Sequence, residues 1–293
     1  MKKAGIITAL ALAAGLIYSY CWATASRLSA AVALINSSTP MQTFLKKPGR
    51  SYVQTYFYFQ QSLPEDVLFG LDQELIEGIS RPIYVKGGDW MSFAALQRTG
   101  KIWVAAGSPE TLKGVASKER NWKIYDLGTA LKPNTWYRLR CQSDFSTRHF
   151  QSLTVEGPGL NKTIDLSQLP LDYPNYMPFD QAAMSYYVEA MRGRSLISPG
   201  KGEGIPLVYF DDVQGGLINA DGSTTITFNS DFEQQTKVDN QPAGAITGAV
   251  IKLAGYKEGQ WYLERPESIF SIQTRDFAHS GKAVGVADAR LER

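Results

Sequence analysis

Runs of β-branched and aromatic residues recur along most of the chain and are separated by turn residues. The clearest is Tyr52–Phe59, which lies between Pro48-Gly49 and Pro64. Thr135–Cys141 alternates apolar and polar side chains, the period-2 pattern of a half-buried strand. Trp90–Leu96 and Lys101–Ala106 flank the turn Arg98-Thr99-Gly100 and predict a hairpin. The pattern therefore predicts an all-β, antiparallel chain.

The stretch Pro206–Asp231 combines strand and turn signals most densely. An apolar strand, Leu207–Phe210, runs into Asp211-Asp212, and a second strand, Thr224–Phe228, runs into Asn229–Glu233. The Gly-, Asn- and Asp-rich segment between the strands predicts either a hairpin or a junction between two β units.

The N-terminus has the pattern of a targeting segment. Lys2-Lys3 precede an uncharged run from Ala4 to Ser26, in which Ala23-Thr24-Ala25 is a candidate cleavage site. The run is also long enough to span a bilayer. Residues 1–25 are therefore either a signal peptide or a membrane anchor, and both interpretations place the rest of the chain outside the cytoplasm. Leu28–Ile35 is expected to continue as a helix, within a helix and linker segment at residues 26–50.

Two sets of short motifs resemble known sandwich families. Asn134–Leu139, Asp144-Phe145 and Ser152–Gly157, followed by Pro206–Val213, resemble concanavalin A-like lectins and glucanases. Asn229–Glu233, a Trp261 strand and His279–Val284 resemble the opening strands of jelly-roll carbohydrate-binding modules. The resemblance implies an antiparallel β-sandwich over residues 51–216. The module-like motifs come in reversed order, so residues 217–293 either complete a permuted sandwich or form a small second β unit.

Composition narrows the classes of function. The 293 residues include 30 Lys and Arg against 28 Asp and Glu, a net charge of +2 that gives no reason to expect nucleic acid as a partner. The two cysteines, Cys21 in the apolar segment and Cys141 in a predicted strand, are not expected to pair. With only two histidines, His149 and His279, a zinc site built on several histidines is nearly excluded.

The resemblance to carbohydrate-binding modules implies a structural calcium ion. In those families the Glu after Phe and an Asp of the late Asp-Asp-Val strand help to hold the ion, which here would be Glu233 and Asp212. Asp211 and Asp212 point to opposite faces of their strand, so only one of them can reach a given ion. The alternative is that these carboxylates are solvated charges at strand ends.

Two sets of candidate catalytic residues are present. Asp72, Glu74 and Glu77 invite comparison with the carboxylate pair of glycosidases, although the order does not match the glucanase motif and an ordinary acidic face is expected. His149 with Tyr137 or Arg148 could form the acid–base set of a sandwich-type polysaccharide lyase.

Aromatic side chains are the candidate ligand-binding residues, because the CH faces of a sugar pack well on an aromatic ring. The candidates are Trp90, Tyr173, Tyr176 and Tyr186, with Tyr187 beside them. Trp122, Trp136 and Trp261 are expected to lie in the core.

The leading hypothesis is a non-catalytic extracytoplasmic protein that binds a glycan or a surface protein through a lectin-like sandwich. One alternative is a polysaccharide lyase or glycoside hydrolase on the same fold. Another is a structural component of the envelope, in contact with the membrane only through an uncleaved N-terminal segment.

Overall fold

Two stacked antiparallel sheets form the protein. The computed structural model describes residues 28–78, 89–118, 120–174, 180–193, 204–242, 246–247 and 250–290. Each sheet has eight strands, and the main hydrophobic core lies between them. The prediction of an all-β antiparallel sandwich is confirmed. The apolar segment before residue 28 lies outside the described residues.

The first sheet has the strand order β16-β1-β11-β3-β5-β6-β7, with β4 paired to β3. Its strands are β1 Leu28–Ile35, β3 Val67–Ile76, β4 Asp89–Met91, β5 Ala94–Gln97, β6 Lys101–Ala106, β7 Asn121–Asp126, β11 Ala183–Arg192 and β16 Trp261–Leu263.

The second sheet has the order β10-β9-β8-β2-β12-β18-β17, with β13 paired to β12. Its strands are β2 Arg50–Phe59, β8 Tyr137–Asp144, β9 His149–Gly157, β10 Leu160–Asp165, β12 Leu207–Ile218, β13 Thr224–Ser230, β17 Phe270–Thr274 and β18 Ala283–Asp288. Three further elements lie in the described chain. A short ribbon pairs β14 Ile246–Thr247 with β15 Val250–Ile251. Helix α1 spans Thr39–Lys46, and a 3₁₀ turn spans Thr111–Lys113.

Leu28–Ile35 is a strand, and the expectation of a helix there is wrong. All eight residues are buried, and the strand pairs with β11 on one side and β16 on the other. A short, uniformly apolar run has no period that separates a buried strand from a buried helix. The helix comes later: Ser38 accepts a hydrogen bond from the amide of Met41 at 3.3 Å, and Pro40 occupies its first turn.

The stretch Pro206–Asp231 forms the hairpin β12–β13. A bulge in the pairing of β12 with β2 lies between Asp211 and Gln214, and Asp212 there has φ 47°. The bulge turns the two neighbouring carboxylates toward the loop before β18, where both accept hydrogen bonds.

The strands after residue 217 belong to both sheets. β16 extends the first sheet beside β1, whereas β13, β17 and β18 belong to the second. The aromatic side chains of Phe232, Trp261 and Phe270 pack in the core between the sheets. The C-terminal segment therefore shares its packing with the strands that precede it.

Candidate active site

Two strands near the middle of the first sheet carry carboxylates on the face that points away from the core. On β3, Phe69 and Leu71 pack between the sheets, so the alternating residues Asp72 and Glu74 point outward. On β11, Tyr186 and Val188 pack inward, and Tyr187 and Glu189 point outward.

The register of β3 and β11 brings these side chains together. Tyr187 lies opposite Asp72, Glu189 opposite Gly70, and Ser185 opposite Glu74. Asp72 and Glu189 are therefore diagonal neighbours on one face, a relation with a Cα separation of roughly 7–8 Å that long side chains bridge. We call Asp72, Glu74 and Glu189 the carboxylate cluster.

The carboxylate cluster is buried although it lies on an outer face. Asp72, Glu74 and Glu189 are 2%, 6% and 4% exposed. Asp72 accepts a hydrogen bond from the backbone amide of Ser92 at 3.0 Å, and the Tyr187 hydroxyl donates to Glu74. Buried carboxylates that have few donors hold their protons more tightly than exposed ones.

Burial raises the pKa of every member of the carboxylate cluster. The pKa of Glu189 rises to about 8, mainly by desolvation, while the positive charge of Arg120 opposes the rise. Desolvation also raises the pKa of Asp72 well above its usual range, and the neighbouring Glu189 raises it further. For Glu74 the causes are desolvation and then the charge of Asp72. The members of the cluster therefore lose their protons at higher pH than exposed carboxylates do.

An aromatic wall borders the carboxylate cluster; it consists of Phe93, Trp103 and Trp122. The rings of Phe93 and Trp103 each meet Trp122 edge to face, with centroids 5.7 and 6.1 Å away. The guanidinium of Arg120 lies 5.0 Å from the Phe93 centroid and 5.7 Å from that of Trp122. Arg120 is thus held against the wall, from where its charge lowers the pKa of Asp72 and Glu189.

On the other side of Glu189, the end of β16 adds Glu264 and Arg265. The amide of Glu264 donates to the carbonyl of Ala30 at 3.1 Å, and its carboxylate pairs with Arg265 at 3.0 Å. Their side chains are 20% and 24% exposed, more than those of the carboxylate cluster. This edge is the more open side of the site.

The expectation that Asp72 and Glu74 belong to an ordinary acidic face is wrong, because both are buried. Glu77 is separate from them: it accepts hydrogen bonds from the Trp90 indole at 3.2 Å and from Arg148 at 3.0 Å. Sequence reasoning missed Glu189, although a single carboxylate in the otherwise apolar predicted strand Ala182–Met191 was a usable signal.

The predicted aromatic platform is not on the surface. Trp90 and Tyr173 stack on each other at 4.4 Å and are 1% and 5% exposed, so neither offers a ring face to a ligand. Tyr186 is fully buried in the core and stacks on Phe228. Tyr176 lies outside the described residues. Tyr187, the neighbour of these candidates, donates a hydrogen bond to Glu74 of the carboxylate cluster. It is the only one of the aromatic residues named for ligand binding that does so in the described part of the chain.

Among the three tryptophans expected in the core, Trp261 is buried there, at 1% exposure. Trp122 and Trp136 are half-buried on outer faces of the sandwich. Trp122 packs against Phe93 and Trp103, and Trp136 packs against Tyr58. The expectation is therefore right for Trp261 and wrong for the other two, because an alternating strand exposes every second side chain to the outer face.

The lyase set suggested by the sequence is not assembled. His149 donates a hydrogen bond from Nδ1 to the carbonyl of Thr147, 2.6 Å away, at one end of the β8–β9 hairpin. Tyr137 lies at the other end, where its hydroxyl accepts a bond from the amide of Lys132. Arg148 instead pairs with Glu77 and lies 4.0 Å from the Trp90 centroid.

Asp212 and Glu233 meet the same loop, which precedes β18. Asp212 contacts the ring of His279 at 2.6 Å and accepts from the Ser280 hydroxyl at 2.7 Å. Glu233 accepts from the backbone amides of Lys282 and Ala283. No group of three or more His, Cys, Asp or Glu side chains in the described ranges is arranged to hold a metal ion. Calcium binding at Asp212 and Glu233 stays a prediction.

Cys141 is a free, fully buried thiol whose pKa desolvation raises to about 12. Cys21 lies outside the described residues. Within those residues, no helix has the length and apolarity needed to cross a bilayer.

Comparisons with known proteins give only distant structural likenesses. No family model and no curated protein matches the sequence. A scytalido-glutamic peptidase with a transition state analog inhibitor aligns with a TM-score of 0.36 and 10% identity, covering 90% of this chain and 98% of the peptidase. The alginate lyase vAL-1 from Chlorella virus gives 0.25 and 12%, covering 56% and 84%. Alginate lyase A1-II', of polysaccharide lyase family-7, gives 0.22 and 11%, covering 48% and 58%. Likeness at this level does not bear on activity, which has to be inferred from the side chains of this chain.

Proposed function

We propose that the protein is an enzyme that cleaves a glycan by acid–base catalysis at the carboxylate cluster, on a concanavalin A-like sandwich. The observation that supports this is the buried pair Asp72 and Glu189, on neighbouring strands and near the guanidinium of Arg120. Buried carboxylates that interact with each other and have raised pKa values are typical of catalytic acids and bases.

The environments of the two carboxylates suggest different roles. Desolvation, and then the charge of Glu189, raise the pKa of Asp72 well above its usual range, so Asp72 is the proton donor to the leaving oxygen. Glu189 is the proton acceptor, because desolvation raises its pKa to about 8 against the charge of Arg120 and it ionises before Asp72. In hydrolysis Asp72 gives its proton as the glycosidic C–O bond breaks. Glu189 takes a proton from the water that forms the new C–O bond.

The aromatic wall supports a sugar substrate. Trp122 is half-buried at the border of the site, and its ring adjoins the guanidinium of Arg120. A sugar ring can pack its CH face on such an indole while its glycosidic bond faces the carboxylates. This position replaces the platform of Trp90, Tyr173 and Tyr186 that the sequence suggested.

The test compares the wild-type protein with Glu189→Gln on a panel of glycans. New reducing ends report hydrolysis, and the absorbance of an unsaturated product reports elimination. Since general acid–base catalysis contributes about 10²- to 10⁴-fold, we expect Glu189→Gln to lose activity by that factor. Glu110→Gln is the matched control, because the side chain of Glu110 is exposed and pairs with Lys113 in a surface turn.

Full activity in Glu189→Gln would contradict the proposed role of Glu189. A wild-type protein that cleaves no glycan, but binds one, would instead favour a non-catalytic binding protein. Secretion or anchoring rests on the N-terminal sequence alone and stays a prediction, tested by the intact mass of the mature protein.

A further inference from the structure

The carboxylate cluster continues into a group of buried acceptors that lacks donors. One carboxylate oxygen of Asp89 has no hydrogen-bond partner among the described residues, although Asp89 is only 5% exposed. The Ser185 hydroxyl is fully buried and likewise has no partner within the described ranges. Buried polar atoms without partners are costly, and each one calls for an explanation.

Strand register places both unpartnered groups around Glu74. Ser185 on β11 lies opposite Glu74, and so does Met91 on β4 from the other side. Asp89 is two residues from Met91 and points to the same face, which makes it a diagonal neighbour of Glu74. Glu74 thus lies between Asp89 and Ser185. We call these three residues the acceptor group.

The acceptor group has more acceptor atoms than donors. Its two carboxylates offer four oxygens, and the hydroxyl of Tyr187 donates to one of them. Burial raises the pKa of Asp89 well above its usual range, and the charges of Glu74 and then Asp172 raise it further. A cationic guest would stabilise both carboxylates in their charged forms.

We propose that the acceptor group binds the ammonium group of an amino sugar in the substrate, and so selects a glycan with free amines. An ammonium has three N–H donors and one positive charge. Those donors match the open oxygens of Glu74 and Asp89 and the Ser185 hydroxyl. The inference deepens the proposed function, because it rests on the substrate being a glycan that is cleaved at Asp72 and Glu189.

The neutral N-acetylated sugar serves as the reference ligand. Its amide nitrogen has a single N–H and no charge, so it can satisfy at most one of the open acceptors. A site built to hydrogen-bond a group rejects an analogue without it, because the buried partners are then left unpaired. We therefore expect the acceptor group to separate amino sugars from their acetylated forms.

The test measures binding without cleavage. Isothermal titration of the Glu189→Gln protein with chitosan oligosaccharides, and with chitin oligosaccharides of equal length, compares a free amine with its N-acetyl form. We expect at least tenfold tighter binding of the free amine. Asp89→Asn, added to Glu189→Gln, should abolish this preference and leave the weaker affinity for the acetylated ligand unchanged.

A stability measurement separates lost binding from lost folding. Because Asp89→Asn removes a buried ionisable group of nearly the same shape, its melting temperature near neutral pH should rise. Asp221→Asn, in the exposed turn between β12 and β13, is the matched control and should change neither affinity nor stability.

Three outcomes would overturn the inference: equal affinity for both ligands, no binding of either, or a preference that survives Asp89→Asn. Tight binding of Ca²⁺ alone at these residues would also overturn it and point to a metal site. A wild-type protein that binds the free amine more tightly but cleaves no glycan would contradict the proposed catalysis and still support the ammonium site.

Discussion

Glu189 shows how the surroundings of a side chain decide its chemistry. The sequence contains many carboxylates, and exposed ones such as Asp126 have a lowered pKa because Lys101 and the amide of Gly128 stabilise the charge. Glu189 has the same functional group but lies on an inner strand, next to Ala30 and Gly70 in the register. Desolvation then outweighs the attraction of Arg120, and the pKa rises to about 8.

The raised pKa of Glu189 predicts that stability falls as pH rises. The folded protein keeps the Glu189 proton up to about pH 8, whereas an unfolded glutamate loses it near 4.5. Between these values the folded state binds more protons than the unfolded state, so the free energy of unfolding decreases with increasing pH. Thermal melts across this window should show a falling melting temperature, and Glu189→Gln should show a shallower fall.

Glu110→Gln is again the control, and its pH dependence should match the wild type. A Glu189→Gln protein with the wild-type slope would show that Glu189 ionises in the folded state as it does in the unfolded chain. It would also remove the basis for the role of Glu189 in catalysis. Asp72 and Glu74 keep a residual slope in the variant, because burial raises the pKa of each.

The sequence indicates two of the three residues of the carboxylate cluster. Alternation along one strand places Asp72 and Glu74 on a common face without further information. Their burial, and the proximity of Glu189, depend on the pairing of β3 with β11, which are more than a hundred residues apart. No local pattern specifies such a register, so burial and pKa could not be predicted for any of the three.

At the scale of elements, β1 and β18 show that neighbouring strands and side chains determine structure that the local sequence pattern leaves open. β1 is too short and too uniformly apolar for its sequence to distinguish strand from helix, and its pairing on both edges decides the outcome. The strands with clear alternation, such as β8, were predicted correctly. β18 has small residues that fit close to aromatic rings brought from elsewhere in the chain.

Gly285 in β18 is predicted to be intolerant of a side chain. A Cβ there would lie 2.7 Å from a ring atom of Phe232 and 2.8 Å from one of Phe270. Both rings are held in the core, so Gly285→Ala should destabilise the fold by ~1–3 kcal/mol, as overpacking generally does. The midpoint of urea unfolding measures the effect.

Gly49→Ala is the control for this prediction. Gly49 precedes β2, and a Cβ at that position meets no atom within 4 Å. It should leave the midpoint near the wild-type value. Equal midpoints for all three proteins would show that Phe232 and Phe270 do not pack against β18 as described.

At the scale of the whole molecule, the C-terminal segment decides between one unit and two. The resemblance of residues 229–284 to opening strands of a separate module leaves open an independent second unit. The strand order argues against independence, because β16 continues the first sheet and β17–β18 continue the second. Removing either connection would leave buried strand edges unpaired.

We therefore expect a single cooperative unfolding transition for the described sandwich. In calorimetry the measured enthalpy should equal the van't Hoff enthalpy, the signature of one cooperative unit. Gly285→Ala should move the whole transition to lower temperature, since the strands on both sides of Gly285 share one core with the first sheet. Two resolved transitions, of which Gly285→Ala lowers only one, would contradict this and support a separate C-terminal unit. In that case the carboxylate cluster, which borders Glu264 just after β16, would be a site between two units rather than within one.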